Sequence, residues 1–236
     1  MLKFNTILNL GILTFSKISA SFFLYRKTAL ELSNLTSFFM NWLAHLFLSE
    51  KNVESRLGNL LADLVKGSAR QNLNFGIQRG IECHKFIDSF TDCHFIVRCS
   101  KGRISQEYKR FAGILVDVFY DYFLAKNWSV YSNIPLDEFT TQIYESFQAY
   151  PGQLPPSVRA ILNRMAAEDW LGSYRNLAGV ENTIRRISHR LSMRLSKPFT
   201  LNLAVSELIT HERDLEKDFR EFFPELLAHT QNWHLA

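Results

Sequence analysis

Residues 74–92 read NFGIQRGIECHKFIDSFTD, and their spacing decides the fold class. Asn74 can cap a helix that carries Phe75, Ile81, Phe86, Ile87 and Phe90 at helical spacing. Within it His84 and Asp88 lie four residues apart, and Asp92 lies four further on. That interval points side chains along one helical face, a turn apart. The stretch is therefore a helix with an apolar face and a file of ionisable groups.

The same periodicity holds on either side, from Met40 onward. Asn41 to Leu48 reads as a short apolar helix, and Leu57 to Val65 as a second, closed by Gly67. After the Asn74 helix, a long one is expected from Ser105 to Lys126, with Phe111, Leu115, Val118, Phe119 and Phe123 on a broad face. Pro135 opens a helix that stops before Pro151-Gly152, and Pro155-Pro156 starts another reaching Met165. Val180 to Leu191 and Leu203 to Leu227 supply two more. Alternating β-branched runs between turn dipeptides are missing. The expectation is all-α: a single multi-helix bundle domain over residues 40–236.

The chain has 236 residues, 47% of them hydrophobic, ample for one well-buried core. A formal net charge of +4 and a pI of about 9.0 suit an acidic partner or a phosphate ester, and do not form a nucleic-acid-binding arm. The same balance is also ordinary surface chemistry. Cys83, Cys93 and Cys99 are odd in number and form no Cys-x-x-Cys pair. A disulfide framework and a thiolate zinc site are both disfavoured, which fits a cytoplasmic protein. No stretch is apolar for the ~20 residues of a membrane helix. Residues 1–39 hold a single acid, Glu31. Lys3, the run Ile7 to Phe15 and Ser19-Ala20 loosely imitate a secretory signal, but Lys17 sits where a small neutral residue is usual. They read as a poorly ordered N-terminal extension or an overlong start, with a signal peptide as the alternative.

The informative anomaly is that ionisable residues recur inside apolar faces. His45, Asp63, the pair His84 and Asp88, and the pair Asp117 and Asp121 all do so. Buried carboxylates need pairing, protonation or a metal. Two His and up to four Asp suit a borderline-hard divalent ion, Mn²⁺ or Mg²⁺. In this reading His84, Asp88, Asp117 and Asp63 are the metal ligands, and His45, Asp63 and Asp121 are the groups that act on water and its proton. Arg56, Lys66, Lys85 and Arg190 are the candidate phosphate-binding cations. Each residue also has a plain structural reading: His45 as a satisfied core histidine, Asp63 near a helix end, Asp121 paired with Lys126 or Arg110. His94 is a candidate for the site or its surround; His211, His229 and His234 are expected at the surface. No Walker loop, Gly-x-Gly-x-x-Gly or Gly-x-Ser-x-Gly occurs, which argues against nucleoside triphosphate chemistry and serine hydrolases.

At these residues the sequence resembles the bacterial acyl carrier protein phosphodiesterase family, relatives of the HD-domain metal phosphohydrolases. The blocks are Met40-Asn-Trp-Leu-Ala-His45-Leu, Gly58-Asn-Leu-Leu-Ala-Asp63-Leu-Val-Lys-Gly67, His84-Lys-Phe-Ile-Asp88, Thr91-Asp92 and Asp117-Val-Phe-Tyr-Asp121-Tyr-Phe-Leu124. Trp170-Leu-Gly-Ser-Tyr174-Arg and Phe219-Arg-Glu-Phe-Phe-Pro224 follow. Tyr122 departs from the family, which often has His there. The resemblance implies an HD-like helical bundle and hydrolysis of holo-acyl carrier protein to apo-protein and 4′-phosphopantetheine. It implies Mn²⁺ as the usual cofactor, with neither nucleic acid nor membrane as partner. Two rival readings share the residues. One is an HD-like phosphohydrolase of small nucleotides or other phosphoesters. The other is a non-enzymatic helical binding module whose acids staple helices to Lys and Arg.

Overall fold

A computed structural model describes residues 42–196 and 198–235; the extension expected over residues 1–39 lies outside the described residues. Among the described residues the chain is helical, without strands. Its α-helices are α1 (Trp42–Leu48), α2 (Val53–Leu64), α3 (Phe75–Cys93), α4 (Phe95–Arg103), α5 (Ala112–Lys126), α6 (Trp128–Tyr131), α7 (Leu136–Ala149), α8 (Pro156–Ala167), α9 (Leu177–Leu195) and α10 (Val205–Leu235). Short 3₁₀ turns occupy Gly67–Asn72, Lys109–Phe111, Gly172–Arg175 and Asn202–Ala204.

Asparagines start three helices. Asn52, Asn74 and Asn176 each accept from the amide three residues on, at 2.8–2.9 Å, satisfying one of the donors a helix start leaves open. Gly67 follows α2 at φ +63°, a backbone conformation that suits glycine. The long helix expected from Ser105 begins as α-helix only at Ala112, because the Ser105 amide is taken by Glu207 Oε2 at 2.9 Å and a 3₁₀ turn intervenes. Helix α4 was not expected. Its residues have little amphipathic pattern, and it is held from outside, where Arg103 and Ser100 both bond Asp218 of α10.

Helix α5 is the centre of the core. Leu115, Val116, Val118, Phe119, Phe123 and Leu124 are all fully buried, so the helix is enclosed on every side. Phe219, Phe222 and Phe223 of α10 pack against it and against Tyr120 and Tyr131. Helix α1 is tied to α5 by Asp121, whose carboxylate accepts from the amides of Leu43 (3.0 Å) and Ala44 (2.9 Å).

Helices α2 and α3 meet backbone to backbone. A Cβ on Gly58 would overlap the Ile77 carbonyl oxygen and sit 2.6 Å from Gly80 Cα. A Cβ on Gly80 would in turn overlap the Ser55 carbonyl oxygen. The segment between the helices returns the chain to its starting end, where Asn74 Nδ2 donates to Glu54 Oε1 at 2.5 Å. Further along, Gly58 faces Gly80, and Asp63 Oδ1 lies 3.6 Å from His84 Nε2. Contacts that advance together on both helices mean that α2 and α3 run side by side in the same direction. Among the described residues no helix is long and apolar enough to cross a membrane.

Candidate metal centre

The close approach of α2 and α3 brings Asp63 to His84, and α1 lays His45 on top. The His45 and His84 rings stack with centroids 4.2 Å apart. Asp88, one turn after His84, completes the group: its Oδ2 is 3.0 Å from His84 Nε2 and its Oδ1 is 3.3 Å from His45 Nε2. One ligand atom from each of His45, His84 and Asp88 lies within 4.8 Å of the other two. That set could hold a divalent metal ion. His45, His84 and Asp63 are buried, whereas the Asp88 side chain is 43% exposed and forms the open side.

Burial and the neighbouring Asp88 charge push the Asp63 carboxyl well above the usual carboxylate range. Burial alone would raise Asp88 as well, but the adjoining His45 and His84 rings overcome it and hold that carboxyl well below the usual range. Burial first, and then the His45 ring, lower His84.

The donors present fit a cation. Among the described residues, both oxygens of Asp63 and Nδ1 of His84 are buried without a hydrogen-bond partner, an arrangement that costs about 1–3 kcal/mol per group. His45 Nδ1 lies 3.2 Å from Asn59 Oδ1, while the Asn59 amide nitrogen donates to the Ser55 carbonyl. With Oδ1 as acceptor, the His45 proton belongs on Nδ1. A neutral His45 then turns the lone pair of Nε2 toward a carboxylate, a clash that a proton or a metal ion resolves. An outer partner fixing the tautomer of a liganding histidine is a common feature of metal sites.

The other expected residues stand outside that set. Asp117 is half-buried on α5, outside the set of meeting atoms. Burial pushes it up to about 8; Lys101 pulls the other way, and the Asp88 and Asp92 charges add to the rise. Asp121 is fully buried beneath the start of α1, where burial pushes it up to about 8 against the two amides it binds. Although four apart, Asp117 and Asp121 serve different neighbours. Tyr122 turns away from both and donates to Glu212 of α10 at 3.1 Å.

Among the cations, Arg56 is half-buried with its guanidinium 5.6 Å above the Phe139 ring. Lys85 is exposed and paired with Glu82 at 2.5 Å, and Lys66 is exposed just past α2. Arg190 is half-buried on α9, its guanidinium 5.7 Å above Trp42. Asp92 pairs with Lys101 at 2.9 Å, as helix stapling would have it, but Asp63 and Asp88 meet imidazoles. His94 pairs with Glu225 at 3.3 Å, away from the cluster. His229 is half-buried, stacked between Phe86 and Phe90 at 4.0 and 4.2 Å, so it is not the surface residue expected.

Sequence reasoning missed Asn59. It stands four residues before Asp63 in an otherwise apolar run, and that spacing was its available signal.

The family model described as acyl carrier protein phosphodiesterase matches residues 40–226. Acyl carrier protein phosphodiesterases of Escherichia coli O157:H7 and of Escherichia coli strain K12 / DH10B are each 33% identical over 190 residues, spanning 80% of this chain and 96% of theirs. No solved structure matches.

Proposed function

The chain belongs to the acyl carrier protein phosphodiesterase family, and from that premise we propose that it hydrolyses holo-acyl carrier protein to the apo-protein and 4′-phosphopantetheine. The bond cleaved is the phosphodiester between the carrier's serine and the pantetheine arm. The observation that carries the reading is the convergence of His45, His84 and Asp88 beside the buried carboxylate of Asp63.

Those four residues would hold a divalent ion, Mn²⁺ or else Mg²⁺, which when bound supplies an activated water and neutralises charge on the phosphoryl group. The chain's own part is positional. Asn59 sets the His45 tautomer so that Nε2 is a ligand. Burial keeps His84 neutral and able to bind. Asp88 is the exposed member, so phosphodiester and water enter past it. Asp121 acts through the backbone: by fixing the start of α1 it sets where His45 stands. Asp117, whose carboxyl burial and the Asp88 and Asp92 charges push up to about 8, can hold a proton beside the centre. Of the basic residues, exposed Lys66 and Lys85 are the ones an acidic carrier could meet, and recognition through them would weaken with salt. Three free cysteines fit a reducing, cytoplasmic setting.

The test is to incubate the full chain with holo-acyl carrier protein and Mn²⁺ and to read the carrier's mass. Loss of the phosphopantetheine mass is expected. An unchanged carrier in the presence of folded, metal-loaded protein overturns the proposal.

A further inference from the structure

Beside the metal centre stands a second cluster, made of arginines and tryptophans. The Trp42 and Trp170 rings stack at 5.6 Å with planes 14° apart, and both are buried. Three guanidinium groups lie over this pair. Arg186 is 4.6 Å from the Trp170 centroid, and Arg164 is 5.8 Å from it. Arg190 is 5.7 Å from Trp42 and 5.8 Å from Trp170. Arg186 and Arg190 are four apart on α9, so their side chains share a face.

The partners of these arginines are unequal. Arg164 is exposed and bonds Glu168 at 2.7 Å. Arg186 is half-buried and donates to the Thr183 hydroxyl at 2.8 Å. Arg190 is half-buried with no hydrogen bond or ion pair among the described residues, only its two rings. Gathering like charges with so few acids is unfavourable unless an anion joins them. Burial, with the neighbouring arginines, already lowers both α9 guanidinium groups. Stacking on indole fixes the planar forks while leaving their N–H edges open, an arrangement suited to two-point binding of phosphate oxygens.

We infer that Arg186 and Arg190, braced on Trp42 and Trp170, form a phosphate-binding clamp for the ester phosphate and for the phosphate of the released arm. Position favours a phosphate over an acidic helix of the carrier. Trp42 lies one turn before His45 on α1, and Arg190 is half-buried within the field of Asp63, whereas a protein partner would meet exposed cations first. That the bound anion is the substrate's rests on the activity proposed above, but the site can be tested without it.

The full chain is titrated with inorganic phosphate in the presence of chelator, following tryptophan fluorescence, which the stacked pair should report. A saturable change is expected in the wild type. Arg186→Gln and Arg190→Gln should each raise the dissociation constant at least tenfold, while Arg185→Gln, on an exposed side chain paired with Glu181, should stay within twofold. Far-UV circular dichroism checks folding. If Arg190→Gln fails to fold, Arg190→Lys keeps the charge but loses the fork, and should still weaken binding severalfold. Absence of saturation in the wild type, wild-type affinity in both α9 variants, or equal weakening by Arg185→Gln overturns the clamp. So does an α9 variant that weakens only carrier affinity with phosphate binding intact, which would assign the pair to carrier docking. A chain that binds phosphate as described but leaves holo-carrier uncut refutes the activity and not the clamp.

Discussion

Replacing Gly58 by alanine tests whether the α2–α3 contact builds the metal centre. The added Cβ would overlap the Ile77 carbonyl oxygen and lie 2.6 Å and 2.9 Å from Gly80 Cα and C. Carbon atoms rest at about 3.5–4.0 Å, so the helices must part by roughly 1 Å. All three obstructing atoms are backbone, and no side-chain rotation relieves them. Overpacking of this kind costs about 1–3 kcal/mol, and the clash with rigid atoms places it at the upper end. Alanine returns about 0.5–1 kcal/mol through its better helix propensity. The net loss is about 2 kcal/mol, which in urea unfolding followed at 222 nm lowers the midpoint by about 1 M for a slope of about 2 kcal/mol/M. The same parting widens the 3.6 Å approach of Asp63 to His84, so Mn²⁺ affinity measured by calorimetry should fall too. Gly102→Ala is the control, since its Cβ would meet nothing within 4 Å. A Gly58→Ala protein with wild-type midpoint and wild-type metal affinity would refute the argument.

Asp63→Asn removes a charge that is uncompensated without a cation, so the chelated variant should be at least as stable as chelated wild type. The folded state holds the Asp63 proton more tightly than the unfolded state does, so metal-free wild type should lose stability as pH rises above the ordinary carboxylate range, and the variant should not. Mn²⁺ at a hundred times its dissociation constant stabilises wild type by about 2.7 kcal/mol and should raise the variant's melting temperature far less; a chelated variant that melts earlier than wild type contradicts this. Asp121→Ala strands two buried amides and should cost roughly 2–4 kcal/mol, with Asp121→Asn recovering part of it; equal stability of Ala and Asn variants would show that the amides find other partners. Thiol labelling of the native chain at pH 8 should reach exposed Cys93 first and spare Cys83, whose thiol burial pushes up to about 11; prompt labelling of Cys83 would count against its burial.

Much of this could be read along the chain, and the reasons for the rest are physical. The Asn74 cap and the His84–Asp88 pair lie within one helix, where spacing alone fixes the face. The nearness of Asp63 to His84 depends on two glycines meeting across helices, which no periodicity within either helix encodes. Spacing also suggested a common role for Asp117 and Asp121. Helix α5 is apolar nearly all round, so its pattern does not say which neighbour each face meets, and only packing separates Asp117 from the Asp121 tie to α1. Arg186 went unnoticed for a related reason: an arginine four residues before another is ordinary on an exposed helix, and the buried Trp42–Trp170 pair that gives it meaning is 128 residues apart in sequence.

The tie between Asp121 and the amides of Leu43 and Ala44 also sets an order of assembly. It spans 77 and 78 residues, whereas α2 and α3 are near neighbours in sequence and can pair early. Alone, the seven residues of α1 are too few to hold a helix in water. During synthesis, a ribosome that has released α3 but not yet α5 therefore presents Asp63, His84 and Asp88 without a fixed fourth group. His45 already has Asn59 and His84 to rest on, but the start of its helix is not pinned until the central helix has emerged.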